Sequence, residues 1–470
     1  MPAPDTLGPR VALHLLSRAG YGPRPGEIAR VLDHGLTKWI EEQLDPQPDS
    51  ELSSRLSRFT TLDYTTARIL ALTNADPRAT GVVLDELASA KVIRAVHGRN
   101  QLQELLTDFW FNHFNVFVND GFDRYAITAY ERDAIRPHVL GRFRDLLGAA
   151  SLHPAMLYYL DNYLNTLPRR VGGRVVGGIN ENQGRELLEL HTVGVDAGYA
   201  QGDVVEASRV LTGHGIDNLT TSGGYLFRSG SHDTGAKQVF GLSLPSGGGA
   251  EEVEKLFDHL AIHPATARFL SKKLAQRFVS DDPPEALVAR VADVFLRSGG
   301  DLAQVVRGLF GSADFWAEAF VTRKPKTPFE YVVSALRAAG AEVANPAAIR
   351  RALADMGQPL YACNPPTGYS NRGADWLNPS SQLARMNFAL DLASGAMTGV
   401  TANARSLVRD AGGNPDDPRS AAETINRQVF GGTLRAETLS AAARVASTGS
   451  VPVAARVGGL LLASPDMQVR

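Results

Sequence analysis

Residues 7–18 read LGPRVALHLLSR and are followed by Ala19 and Gly20. Apolar side chains recur there at helical intervals, and a glycine just past the run is a good stop because it tolerates left-handed backbone. Leu36 to Leu44 repeats the pattern with Trp39 on the apolar side, and residues about 80–98, 101–117 and 126–162 continue it, with Gly121, Gly141 and Pro154 as breaks. Strand and helix do not alternate, so a parallel sheet is not expected. Farther along, 250–262, 264–279, 284–298, 301–311, 329–339 and 346–355 have the length and period of packed helices, several beginning after Pro or Asp. Helices resume at 380–393 and in an Ala-rich tail. The expected fold is mainly α, one large irregular helical domain over 1–470 with a few short strands near Gly-rich loops. Within it, 1–215 would carry the polar site, 216–248 the connecting loop and 249–470 a helical half. No repeat of fixed period is present.

Three stretches interrupt the helices. Residues 168–179, with Arg169, Arg170 and two double glycines, predict a hairpin or flap. Asp203 followed by Glu206 predicts a capping box and a helix over about 204–212, ended by Gly213 and Gly215. Residues 216–248 are rich in Gly, Ser and Thr, with short strands expected at 225–228 and 238–242, and form the long loop expected to carry function. A second irregular segment covers 358–379.

Composition narrows the function. The chain has 470 residues, 44% apolar and 21% charged, with Lys+Arg 48 against Asp+Glu 50 and a net charge of −2. No basic field or patch is present to meet nucleic acid. A lone cysteine, Cys363, excludes a disulfide framework, a zinc ribbon and a cysteine-ligated cluster. Met1-Pro2-Ala3-Pro4-Asp5 is not a basic export leader, and no run approaches the roughly 18 apolar residues of a membrane span. The chain therefore reads as cytoplasmic as given, or as exported or in the envelope if a signal has been trimmed. The Walker A loop, the Gly-x-Ser-x-Gly elbow, His-Glu-x-x-His and a strand-to-helix Gly-x-Gly-x-x-Gly are all missing.

The densest polar stretch is 180–191, NENQGRELLELH. As a helix at about 100° per residue, it places Asn182, Arg185, Glu186 and Glu189 in one sector and Leu187, Leu188 and Leu190 opposite. His191 falls among the leucines, so it meets the glutamates only if the helix ends early, which Gly194 permits. Glu186 and Glu189 read either as paired carboxylates, one raised by the other's charge, or as Glu181–Arg185 and Arg185–Glu189 pairs on a solvated face.

Other candidates flank this stretch. His113 lies among the aromatics of 109–114, a desolvated setting that favours a neutral base or ligand and equally an ordinary core. Asp161, Asn162 and Asn165 end a helix and read as ligand contacts or as caps and turns. His214, His232 and Asp233 sit in Gly-rich surroundings outside helices. Tyr361, Asn364, Pro365, Pro366, Tyr369, Arg372 and Trp376 combine aromatic faces with hydrogen-bonding groups, the chemistry that holds sugar rings, though a rigid Pro-rich crossing uses the same residues.

At these residues the chain resembles the bacterial domain-of-unknown-function family 1800. The resemblance is carried by Leu15-Leu16-Ser17-Arg18-Ala19-Gly20-Tyr21-Gly22, by 109–114, by Ala155-Met156-Leu157 with Leu160-Asp161-Asn162, and by 180–194, 203–213 and 364–387. It implies a large, mainly helical bacterial protein, often exported, whose gene often neighbours that of an alkaline-phosphatase-like protein. It implies no reaction. Many relatives resemble one another in carrying Trp where this chain has His214.

The leading expectation is a hydrolase acting on a glycan or other polyhydroxylated substrate. Glu186 and Glu189 are its carboxylates, Arg185 tunes them and His113 lies nearby; Asn162, Asn182, His232, Asp233, Tyr369, Arg372 and Trp376 contact substrate. Opposed acid and base groups stand about 5 Å or more apart, so Asp161 or Asp233 is an alternative second carboxylate. A metal-dependent variant would use His113, Glu186 and Glu189 with His191 or His232 around a divalent ion, although no cofactor is required. The alternative from another class is a non-catalytic scaffold for an alkaline-phosphatase-like partner or a glycan, which predicts an exposed apolar patch.

Overall fold

A computed structural model describes residues 8–444 and 450–470. Met1 to Asp5, Leu7 and positions 445–449 of the Ala-rich tail lie outside the described residues. The fold is mainly α, with 23 α-helices among the described residues and strands only in short ribbons. The first helix, Pro9–Arg18, has proline at its start and buries Ala12, Leu15 and Leu16, the spacing of one apolar face, with buried Ala19 just past its end. Buried apolar residues continue in one cluster from Ala12 to Met467. No described helix is long and apolar enough to cross a membrane.

Several expected helices differ in their ends. Gln101–His113 stops short of 117. The Phe114 carbonyl turns away to accept the Tyr130 hydroxyl at 2.7 Å, while Phe114 and Val116 stay fully buried in the loop, so the apolar pattern there marks burial and not helix. The span 126–162 breaks into Asp123–Ala129, a wide π turn over Tyr130–Ile135, and helices Phe143–Ser151 and Pro154–Tyr159. The helix expected over 204–212 is Gln201–Val210, and Asp203 is not its N-cap. Asp203 lies inside the first turn, where Oδ2 accepts the Ala200 N–H at 2.7 Å and Oδ1 accepts the Phe240 N–H at 2.6 Å. A carboxylate in the first turn is stabilised there by the free amides of the helix start.

Four two-stranded antiparallel ribbons punctuate the helices. Arg169–Val171 pairs with Arg174–Val176, with Arg169 opposite Val176, as the glycine-flanked hairpin predicts. His214–Ile216 pairs with Tyr225–Phe227, placing His214 opposite Phe227. The strand expected at 238–242 is instead a hairpin, Lys237–Val239 against Leu242–Leu244. Its turn residues, Phe240 and Gly241, have φ of 44° and 88°, so the chain reverses where period-two reasoning carried it straight on. Glu342–Val343 with Val400–Thr401 makes the fourth.

Candidate functional site

The polar stretch is not one regular helix. Asn182–Glu186 is α-helical, and Leu187–His191 widens into a π turn, which shifts the phase of every later side chain. His191 is thereby buried, and its carbonyl accepts His113 Nε2 at 3.1 Å. The acidic stripe faces outward. Arg185 donates to Glu181 at 3.1 Å, to Glu189 at 3.4 Å and to Gln201 Oε1 at 3.0 Å, and Gln201 donates to Glu181 at 2.6 Å. Asn182 is exposed. Burial, and then a hydrogen bond to Glu189, push the Tyr199 hydroxyl up to about 12. Glu186 alone on this stripe is half-buried with no protein partner among the described residues; burial and then the charge of Glu189 raise its carboxyl, against the pull of Arg185.

His113 does not meet the glutamates. Lys273 Nζ donates to His113 Nδ1 at 2.8 Å, and the charged groups acting on His113 are Lys273 and His191. Among the described residues no three His, Cys, Asp or Glu side chains are grouped to hold a metal ion, so the five residues named for a metal do not form a ligand set.

The candidates around the long loop act as fasteners. Asn162 Nδ2 donates to the carbonyls of Leu211 and His214 at 3.1 and 2.9 Å, and Asn165 bridges Asn162, Ser208 and Asn180. Asp161 is exposed, in left-handed backbone at φ 57°. Asp233 is gripped at two points by Arg209, at 2.7 and 3.1 Å, which holds its carboxyl below the usual range. His232 lies between the Thr212 carbonyl at 2.8 Å and Glu252 at 3.2 Å. His214 is buried against Phe227, its Nδ1 on the Tyr225 hydroxyl at 2.8 Å, and burial brings it down to about 4.

Of the remaining candidates, Tyr361 and Tyr369 line a recess. Asn112 clamps the backbone of Tyr369 twice, accepting its N–H at 2.7 Å and donating to its carbonyl at 2.8 Å. Gly368 makes this approach feasible: it has φ 70°, and a Cβ there would stand 2.2 Å from the Asn112 carbonyl oxygen. Asn115 takes the carbonyls of Cys363 and Pro365, both at 2.9 Å. The clamp encloses about 40 Å³ lined by Lys91, Asp108, Arg277, Gln358, Tyr369 and Asn371 among others. Lys91 pairs with Asp108 at 2.7 Å. Trp376 stands beside Tyr369, ring centroids 5.8 Å apart, with its indole N–H on the Ser370 carbonyl. Arg372 points away, paired with exposed Asp282 at 2.9 Å.

No sequence pattern marks Asp108, Gln358 or Asn371 as site residues. Lys91 carries one signal, a lysine in the mostly apolar stretch Ala88 to Val96, which Ser89 and Arg94 also interrupt. Arg277 carried none, since its helix reads as an ordinary packed one.

The fold and this recess define a mainly helical protein in which the Gln101–His113 helix and a distant Pro-rich segment meet around a polar pocket. The chain matches the model of the family described as Protein of unknown function (DUF1800) over residues 14–469 and belongs to that family. No curated protein and no solved structure gives a significant match.

Proposed function

We propose that the protein binds a polyhydroxylated ligand, a glycan end or similar molecule, at the recess between the Gln101–His113 helix and the 358–378 segment. The observation that supports this is the Asn112 clamp, which holds Tyr369, with Trp376 packed beside it, in the wall of a pocket that also offers Asp108 as acceptor and Gln358 and Asn371 as amides. Aromatic faces hold the apolar side of a sugar ring, while amides and carboxylates take its hydroxyls. The enclosed volume of about 40 Å³ suits one ring substituent, with the ring itself outside on the aromatic pair. Titration calorimetry against a panel of mono- and oligosaccharides tests the reading. Saturable binding that Trp376→Ala and Asn371→Ala weaken supports it, and a panel without any saturable response rejects it.

A second reading, hydrolysis, is favoured by Glu186. It is an unpaired, half-buried acid raised beside Glu189, which Arg185 pairs as a carboxylate. In that reaction Glu186 gives its proton to the leaving oxygen and Glu189 takes one from the attacking water. Reducing ends released from polysaccharides by the wild type, and lost in Glu186→Gln, would support it; equal release by both would remove Glu186 from the chemistry.

A further inference from the structure

A second opening lies apart from the recess and shares no lining residue with it. It is an open cleft of about 700 Å³, lined by side chains of helices Glu27–His34 and Leu36–Leu44 and of the turn after Ala79–His97. Volumes of roughly 300–1,000 Å³ hold small organic molecules. Neither ligand reading above uses any residue of this wall.

The acids of the wall are spent. Glu27 is buried, and it is saturated: Oε1 accepts Arg30 Nη2 at 2.9 Å, while Oε2 accepts Arg337 Nη2 at 2.9 Å and the Arg24 backbone N–H at 2.8 Å. Asp49 takes the N–H groups of Leu52 and Arg99, both at 3.0 Å. Glu42 pairs with His34 at 2.7 Å, and Glu51 with Arg55 at 3.0 Å.

The donors of the same wall are not spent. Arg24 forms no ion pair among the described residues; its Nη2 gives to the Val96 carbonyl at 3.0 Å and to His97 Nδ1 at 2.9 Å. Its Nε and Nη1 have no protein acceptor and are not enclosed, so they open to solvent in the cleft that Arg24 lines. Arg30 spends only Nη2, on Glu27, and Arg99 brings only Nε near Asp49, at 3.6 Å. A guanidinium has no lone pair to offer, so His97 accepts at Nδ1 and carries its proton on Nε2, which is buried without a partner. Trp39 is almost wholly buried, yet it lines the cleft and no described residue accepts its indole N–H. Two arginines anchored on one saturated carboxylate, beside an indole that lacks an acceptor, leave this single place short of acceptor oxygens. Paired guanidinium N–H groups match the oxygens of a phosphate or a carboxylate.

We propose that this cleft binds a small organic molecule by a phosphate or carboxylate group. Its oxygens accept from the free guanidinium N–H groups of Arg24 and Arg30, the Trp39 indole N–H offers a further bond, and the rest of the molecule fills the remaining volume. The site does not depend on glycan binding at the recess.

The test is calorimetric titration of the full-length protein with phenyl phosphate and with succinate, each against its uncharged counterpart, phenol and succinamide, at matched ionic strength. Saturable binding of a charged probe, without binding of its counterpart, is expected; the tighter of the two charged probes assigns phosphate or carboxylate. Arg24→Gln and Arg30→Gln should each weaken binding by about ten-fold or more, the loss of charge-assisted hydrogen bonds, and Trp39→Phe by a few-fold. The Arg30 side chain is 73% exposed, so Arg30→Gln remains readable if Arg24→Gln does not fold. Trp376→Ala and Asn371→Ala, at the recess, should leave this binding unchanged. Charged and uncharged probes that behave alike would overturn the proposal, as would binding that survives Arg30→Gln at full strength or is lost in the recess variants.

Discussion

Lys273 Nζ donates to Nδ1 of His113 at 2.8 Å, across the contact between the Pro264–Phe278 and Gln101–His113 helices. The far ring nitrogen of His113 faces the carbonyl of His191 at 3.1 Å. An ammonium has no lone pair to offer, so Nδ1 must accept, and the ring proton must sit on Nε2 and go to the carbonyl. One protonation pattern satisfies both bonds. Burial and then Lys273 hold His113 well below the usual imidazole range, and burial brings Lys273 down to about 8. The histidine embedded in aromatics is thus a neutral link between two helices and the π turn.

Lys273→Met should leave His113 Nδ1 buried without a donor. The expected cost is about 1–3 kcal/mol, read as a lowered urea midpoint at unchanged slope. In the wild type, nitrogen chemical shifts at pH 7 should show the Nε2–H tautomer. An imidazolium, or the Nδ1–H form, would contradict the bonding just described.

Acid should unfold this protein early. Burial is the leading cause in bringing His14 and His191 down to about 3 and His97, His153 and His214 to about 4. The unfolded chain takes up these protons near pH 6.5, and the folded chain does so only far lower, so the unfolded state binds more protons in between. Their stabilising effect is complete above about pH 6.5 and is lost progressively as pH falls toward about 4. Denaturant midpoints measured from pH 7 to pH 4.5 should fall steeply; a flat profile would mean that these rings are solvated.

How much of this was legible follows from what each signal measures. Apolar periodicity reports burial, so it placed helices such as Glu251–Ala261 and Glu285–Arg297 within a residue or so. It overran Gln101–His113, because Val116 is equally buried in a loop. It also missed the π turn at Leu187–His191, which alters phase without altering composition. Arg185 is bound to Glu181 and Glu189 as its spacing implied, while the π turn takes Glu189 off the regular helical phase. Which way this acidic face looked was not legible, since a polar stripe reads alike toward solvent and toward a chamber. The recess depended on Asn112 meeting Tyr369, a contact across the chain that no local pattern encodes.

Asp123 gives a prediction of opposite sign. It is fully buried, neither carboxylate oxygen has a partner, and burial followed by the charge of Asp120 raises its carboxyl well above the usual range. The folded protein keeps this proton while the unfolded chain releases it near 3.8, so the group stabilises fully only below that pH, and its contribution declines as pH rises toward the folded value. Asp123→Asn removes the titration at nearly constant shape. The variant should be more stable than the wild type at pH 7, with the gap closing below about pH 4. A variant less stable at pH 7 would show that the carboxyl carries a bond the amide cannot replace.

The last prediction concerns the long loop. Glu252 Oε2 receives Lys237 Nζ at 2.6 Å and faces His232 Nε2 at 3.2 Å, all three side chains almost wholly buried. Lys237 also reaches the carbonyls of Asp233 and Gly235, so this one carboxylate ties the 232–237 stretch to the Glu251–Ala261 helix. Glu252→Gln preserves size but strips a buried ammonium of its counter-charge, at an expected cost of about 3–5 kcal/mol. Adding Lys237→Met should recover part of that loss, because exchanging a buried ion pair for apolar groups is often close to neutral, whereas breaking one is not. A double-mutant cycle on urea midpoints separates the two effects. Single and double variants that lose equal stability would show that the carboxylate holds the loop through His232, with Lys237 as a bystander.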